Sequence, residues 1–506
     1  MESLLVSFAL LLPALGVFPN LGITLPDQVP PDPAAEAARF EAVAKQLDTG
    51  GVLYAYVGVD GDLEAIGKFA EDMIAQFREL NPGDIPFEID VTTLLKISGL
   101  DAVSAVGMSS KRVGEVFMNK TYVHVPKGRK GLMRILGGES KPFEVVDLAP
   151  AGAEIVVEQD LNLKVAYEAV QEAFGVVMGE PGKAMVKVFT GQPMPPFSFT
   201  PERLLTNLDT RFTVVVDADP DKKVKVPDAE EVEMPLLHAA VLVDGFGWFA
   251  DEVALVLERL RAQGAGQGPQ MPFAVFRDAK WVGAQLEIGP EDYQEMDAEA
   301  LALFGGEKPV LLHHRPSGKL VLASGKNFAE KLFMPKPNLK DDTHFRNTMK
   351  ALPREGTSLT YFSPELFRIV RQVFGEVIKT APGPSEAAFA TAALDLFFPP
   401  NAKGEGSVTT NVGQGSLTIA ASSHSHKNKL VSGLMGPFGM SAASMMIPMM
   451  VFGAQNAEFI DQEVDVKIEE IEALENLDDA LDVPVGGGRN QPRKGKNDKK
   501  FEREGD

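Results

Sequence analysis

The chain contains no cysteine among its 506 residues. Disulfides, thiolate zinc sites, iron–sulfur clusters and cysteine nucleophiles are therefore excluded. Complete absence also fits an exported protein, because a stray thiol mispairs in an oxidising compartment. Positive charge is scarce as well. Against 71 Asp and Glu there are 49 Lys and Arg, a formal charge of -22. Non-specific nucleic-acid binding needs clustered cations to displace phosphate counterions, so the balance argues against a nucleic-acid partner. Common catalytic signatures are missing too: there is no Gly-x-Ser-x-Gly elbow and no His-Glu-x-x-His helix. The Gly-Lys pairs at Gly67, Gly182 and Gly325 lack both the spaced first glycine and the Ser/Thr of a phosphate loop. No nucleophile or acid–base pair stands out, so the expectation is a protein that is not an enzyme and takes no cofactor.

What is present is a globular composition, with 44% apolar and 24% charged residues. At about 150 residues per domain the length suggests roughly three units. Leu4–Val17 is an apolar run followed through Ala14 and Gly16 by a small-x-small site, which reads as a signal peptide. The preceding residues carry Glu2 and no cation, so a buried first helix is the competing reading. The Pro-rich segment Leu25–Pro33 then reads as an extended spacer.

Three times a short apolar strand runs through a turn signal into an amphipathic helix. These openings are Gly51–Asp60 into Leu63–Phe77, Ala153–Asp160 into Leu163–Phe174, and Thr357–Ser363 into Leu366–Ile378. Such self-similarity is the mark of an internal repeat. Asp62, Asp160 and Ser363 are the expected caps, Ser363 being followed by Pro364 and Glu365. A weaker fourth opening runs from Ala239–Asp244 into Phe249–Leu260, with Asp244 in the cap region. A second element, a strand ending in a polar turn before a short helix, recurs at Lys120–Pro126, Gly318–Gly325 and Gly415–Ser422. Further strands are expected at Phe212–Val216, Phe273–Phe276 and Gln285–Ile288, with antiparallel pairing. The fold class that follows is α+β: tandem units of twisted antiparallel sheet with helices on one face, plus a disordered C-terminal tail. The division is 1–33 signal peptide and spacer, then units at 34–150, 151–350 and 351–435. An apolar helix, 436–453, and an acidic segment with a basic tail, 454–506, complete it.

The arrangement, with Gly99–Gly107, Val123–Gly131 and Leu148–Val157, resembles a family of exported bacterial proteins known only as a domain of unknown function. The resemblance spans roughly Val52 to Leu434 and rests on apolar and turn patterns. It implies an envelope location and a repeated α+β fold. No catalytic or binding residues come with it.

Gly433–Gly453 is uncharged and has the length, about 20 residues, that crosses a bilayer. Pro437, Pro448 and its Gly, Ser and Met content leave two readings, a membrane-associating helix or a helix packed on the sheet. Ile460, Val464, Ile468 and Ile471 recur at helical spacing among carboxylates, which suggests an acidic amphipathic helix for a protein partner. A strand at Val464–Ile468 competes with it.

Few residues carry candidate chemistry. His313 and His314 are adjacent, and His424 and His426 would share one face of a strand, yet neither pair has a carboxylate at matching spacing to complete a metal site. Asp217, Asp219 and Asp221 lack the rest of a calcium loop and read as a charged hairpin turn. Lys127, Arg129 and Lys130 follow a strand and precede a short helix, which makes them the candidate anion-binding residues. The functional expectation is a non-catalytic cell-envelope protein, periplasmic or membrane-associated, acting as a binding or structural scaffold. The alternative is a periplasmic carrier or chaperone for lipid or other apolar cargo.

Overall fold

Each opening seen in the sequence is a strand that hands over to a helix in the computed structural model. It describes residues 32–422 apart from 60, 81–89, 136–137, 208, 227–228, 265–272, 288–307 and 380–383. The expected signal segment, Gly433–Gly453, the acidic segment, the tail and the His424/His426 pair lie outside the described residues. Among the described residues no helix is long and apolar enough to cross a membrane.

The first segment runs α1 (Pro33–Ala44), β1 (Leu53–Gly58), α2 (Asp62–Leu80), α3 (Val91–Ser98), β2 (Ala105–Val113) and β3 (Val116–His124). After β4 (Lys141–Pro142) and α4 (Val145–Leu148) comes the second: β5 (Ile155–Asn162), α5 (Leu163–Met178), α6 (Glu180–Gly191), α7 (Pro201–Thr206), β6 (Asp209–Val226) and β7 (Ala229–Val243). Then follow α8 (Gly247–Gly264), β8 (Phe273–Arg277), β9 (Trp281–Leu286), β10 (Val310–His314), β11 (Lys319–Ala323) and α9 (Lys326–Leu332). The last runs α10 (Thr343–Met349), β12 (Glu355–Gly356), β13 (Ser358–Phe362), α11 (Pro364–Lys379), α12 (Pro384–Phe397), β14 (Glu405–Val412) and β15 (Gly415–Ser422).

Thirteen strands form one antiparallel sheet in the order β1-β2-β3-β15-β14-β13-β5-β6-β7-β11-β10-β9-β8, and β4 and β12 form a separate ribbon. The α+β class with antiparallel pairing is as expected, and the segments join edge to edge. In each of the three openings the strand pairs with the first strand of a later hairpin: β1-β2-β3, β5-β6-β7 and β13-β14-β15. The fourth strand–helix junction, β7 into α8, differs, because β7 pairs with β11 rather than with β8.

The hairpins of the first and third segments have the same turn length and register. Both hairpins turn through two residues, Gly114 and Glu115 after Val113, and Gly413 and Gln414 after Val412. Gly114 (φ 63°) and Gly413 (φ 49°) occupy the left-handed region that favours glycine. Tyr56 lies opposite Gly107 and Tyr361 opposite Gly406. A Cβ on Gly107 would meet Val43 and Leu47, and one on Gly406 would meet Met349 and Leu352. Just before each opening strand a glycine is pinned by a carbonyl. A Cβ on Gly51 would lie 2.1 Å from the Ser110 oxygen, and one on Gly356 would lie 2.4 Å from the Thr409 oxygen. The amides of Val52 and Thr357 donate to those same oxygens, each at 2.8 Å. Because the obstacle is backbone, it cannot move aside cheaply. Gly356→Ala should therefore destabilise the protein by about 1–3 kcal/mol, read as a lower urea midpoint at unchanged slope. An unaltered midpoint would refute this account of the glycine.

Alternation sends neighbouring side chains to opposite faces. On one face Val156, Val215, Leu242, Leu312, Val321, Leu359 and Val408 build the main core, covered by α9, the Phe143–Ala153 segment and the 339–352 segment. Farther along that face Val43 of α1 and Leu47 just after it pack on Tyr54, Tyr56 and Ala105. The opposite face is also covered, with Phe246 and Ala250 at the start of α8 packed on Val243, Leu311 and Leu320.

Candidate functional site

A cleft of about 300 Å³ opens where β1 ends, lined by Val59, Gly61, Glu64, Thr92, Leu95, Lys96, Asp101, Val103 and Lys127. Its walls are set by local sequence. Gly61 (φ 87°) turns the chain into α2. Asp90 caps α3 by accepting from the Thr93 amide at 2.7 Å. Gly99 ends α3 in the left-handed conformation, and its amide donates to the carbonyls of Leu95 and Lys96. A Cβ there would stand 2.0 Å from the Lys130 carbonyl oxygen, so the basic loop lies directly against the end of α3. Gly131 reciprocates, with a Cβ position 1.9 Å from the Ile97 oxygen.

The three candidate anion-binding residues have different surroundings. Lys127 reaches the cleft, where Lys96 also stands. Arg129 instead donates to the Gly138 carbonyl at 3.4 Å, and Lys130 has its carbonyl on the Met133 amide at 3.2 Å. The helix that follows, Gly131–Arg134, is a single 3₁₀ turn with no side-chain cap. The cleft holds cations and carboxylates together, two of each, and the Thr92 hydroxyl is buried without a partner. Such a lining suits a small polar or dipolar molecule.

Elsewhere one group of charges is buried. Arg211, on β6, donates through Nη1 to Glu158 at 2.7 Å and through Nε to Asp160 at 2.6 Å. It also donates to the carbonyls of Pro142 at 2.9 Å and Gly356 at 3.0 Å, on both strands of the β4–β12 ribbon. Burial raises the Glu158 carboxyl pKa, opposed by the Val145 amide and by Arg211. Burial works against the Arg211 charge too, but Asp160 and Glu158 outweigh it and its pKa rises. Asp160 is therefore not the cap of α5. Asn162 is, accepting from the Val165 amide at 3.2 Å. Asp244 likewise pairs with Lys319 rather than capping α8.

At the other end of β5 the Ser363 hydroxyl accepts from the Leu366 amide at 3.0 Å, the cap expected for α11. The same hydroxyl bonds the Glu154 carboxylate. Burial, aided by Glu365 and Asp217, pushes Glu154 up to about 7. Neither residue is accessible, and no histidine is hydrogen-bonded to the hydroxyl, so this pair is a cap and not a nucleophile with its base. Nearby, Lys331 pairs with Asp217 at 2.7 Å.

The other sequence candidates are dispersed. His313 and His314 point to opposite faces, one to Asp251 at 2.9 Å and the other to Ser317 at 2.8 Å. Among the described residues no group of three His, Cys, Asp or Glu could hold a metal. Asp217, Asp219 and Asp221 do not form a hairpin turn. They sit within β6 at a register shift between Asp219 and Lys223, where Pro220, Asp221 and Lys222 have no residue opposite them on β7. No protein family, curated protein or solved structure matches the chain.

Proposed function

We propose that the chain is an exported, non-catalytic scaffold of the cell envelope, built by internal duplication, that binds through its helical surface. The observation that carries this reading is apolar side chain left in water on the α5–α6 hairpin. Val170, Phe174, Met178, Val188 and Phe189 are all exposed, Phe189 by 72%. Val170, Phe174 and Met178 recur at helical spacing along one stripe of α5. A run of this kind on one hairpin is what a contact surface needs, whereas scattered apolar residues would carry no meaning. The matched glycines, hairpins and tyrosines of the first and third segments support duplication. Charges tied into buried pairs, as in Arg211 with Glu158 and Asp160, support a role without catalysis. The polar lining of the cleft weighs toward a scaffold rather than a carrier of apolar cargo.

Fractionation of cells expressing the full chain tests the reading. The protein is expected in the envelope fraction, with its N-terminus cleaved and no lipid co-purifying. Val188→Ser with Phe189→Ser should release it to the soluble extract without changing its thermal midpoint. Recovery of an uncleaved, cytosolic protein, or of one carrying stoichiometric lipid, would overturn it.

A further inference from the structure

We infer that β1 is a self-pairing edge, through which two copies of this chain join their sheets into one. β1 is the terminal strand of the sheet, and among the described residues no strand pairs with its outer side. An antiparallel partner takes the backbone groups of alternate residues only. Val59 donates to the carbonyl of Ser104, just before β2, at 3.0 Å, so Leu53, Ala55 and Val57 share its inward side. The amides and carbonyls of Tyr54, Tyr56 and Gly58 then face outward, away from β2.

Natural edges are usually blunted with lysine, proline or a very short strand. β1 has none of these. From Val52 to Val59 it carries no charge and no proline, and Val52 and Val57 are 55% and 38% exposed. The opposite edge, β8, is guarded by Arg277, which pairs with Glu258 at 3.2 Å.

The occupant is a second copy because the chain already contains the joint. β13 and β5 are both opening strands, and they pair with each other antiparallel, Ser358 opposite Gln159 and Phe362 opposite Ile155. β1 is equivalent to β13, residue for residue, through Tyr56 and Tyr361 and through Gly51 and Gly356. It is the one opening strand of the three without an opening strand beside it. A strand pairs antiparallel with its own copy across a two-fold axis, the commonest symmetry of homodimers.

Light scattering of the full chain during size exclusion should give twice the 54.6 kDa of one chain. Val57→Lys brings two like charges to the joint and should halve that mass at an unchanged thermal midpoint. Because the chain lacks cysteine, single substitutions give an independent reading. Ala55→Cys or Val57→Cys should be joined into a covalent dimer by a short bis-maleimide, and Ala274→Cys on β8 should not. A wild-type chain of single mass overturns the inference. So does a dimer that joins through Ala274→Cys and not through the β1 cysteines, whether or not Val57→Lys folds.

Discussion

Arg211→Met is expected to destabilise the protein by about 3–5 kcal/mol, because it strands two buried carboxylates. Glu158 is fully buried and Asp160 nearly so, and Arg211 is the cation that neutralises both. The guanidinium also closes two carbonyl bonds to the β4–β12 ribbon, which would be left open. Denaturant unfolding of the variant measures the loss. Adding Glu158→Gln and Asp160→Asn removes the unpaired charges and should restore a large part of it, since neutral amides tolerate burial better than carboxylates. A single variant that loses less than about 1 kcal/mol would mean that the trio is solvated rather than buried.

A comparably large effect should follow from pH at Glu154. Its carboxyl titrates near 7 in the folded chain and near the ordinary 4.5 when unfolded. Below 4.5 both states are protonated and the group has no preference. As pH rises from there to 7 the unfolded state ionises first, so folding loses about 3 kcal/mol across that window. Glu154→Gln keeps a hydrogen-bonding side chain beside Ser363 and cannot ionise. Its stability should therefore be flatter between pH 4.5 and 7 and higher than wild type above 7. Parallel curves for the two proteins would show that Glu154 is ionised in the fold at neutral pH.

Local features were legible in the sequence, because their causes are local. The apolar runs at Leu53, Ile155 and Ser358 are strands, and the Ser363-Pro364-Glu365 start of α11 is capped as its residue types dictate. Asp160 misled for a physical reason. A carboxylate just before an apolar helix looks like a cap, and only the distant Arg211 turns it into a buried ion pair. The alternation of Glu158 and Asp160 in a strand that opens on Ile155, Val156 and Val157 is the signal that would have marked it, since both fall on one face. Strand order was not legible, because pairings such as β3 with β15 join residues some three hundred positions apart and leave no periodicity. The basic loop could be read as residues but not as a place. Its docking on α3 depends on Gly99 and Gly131 meeting backbone to backbone.

β13, β14 and β15 are the last described strands to leave the ribosome, yet they lie between β3 and β5. Space and synthesis are therefore out of order. Until Ser358–Ser422 has been made, β3 and β5 each present an open flank, and the two earlier portions cannot join through the strands that finally link them. Pairings of such long sequence separation form slowly, and open flanks in the meantime invite wrong partners. Translation of this final stretch thus sets the earliest moment at which the sheet can close, and a nascent chain halted before it is two half-sheets awaiting a bridge.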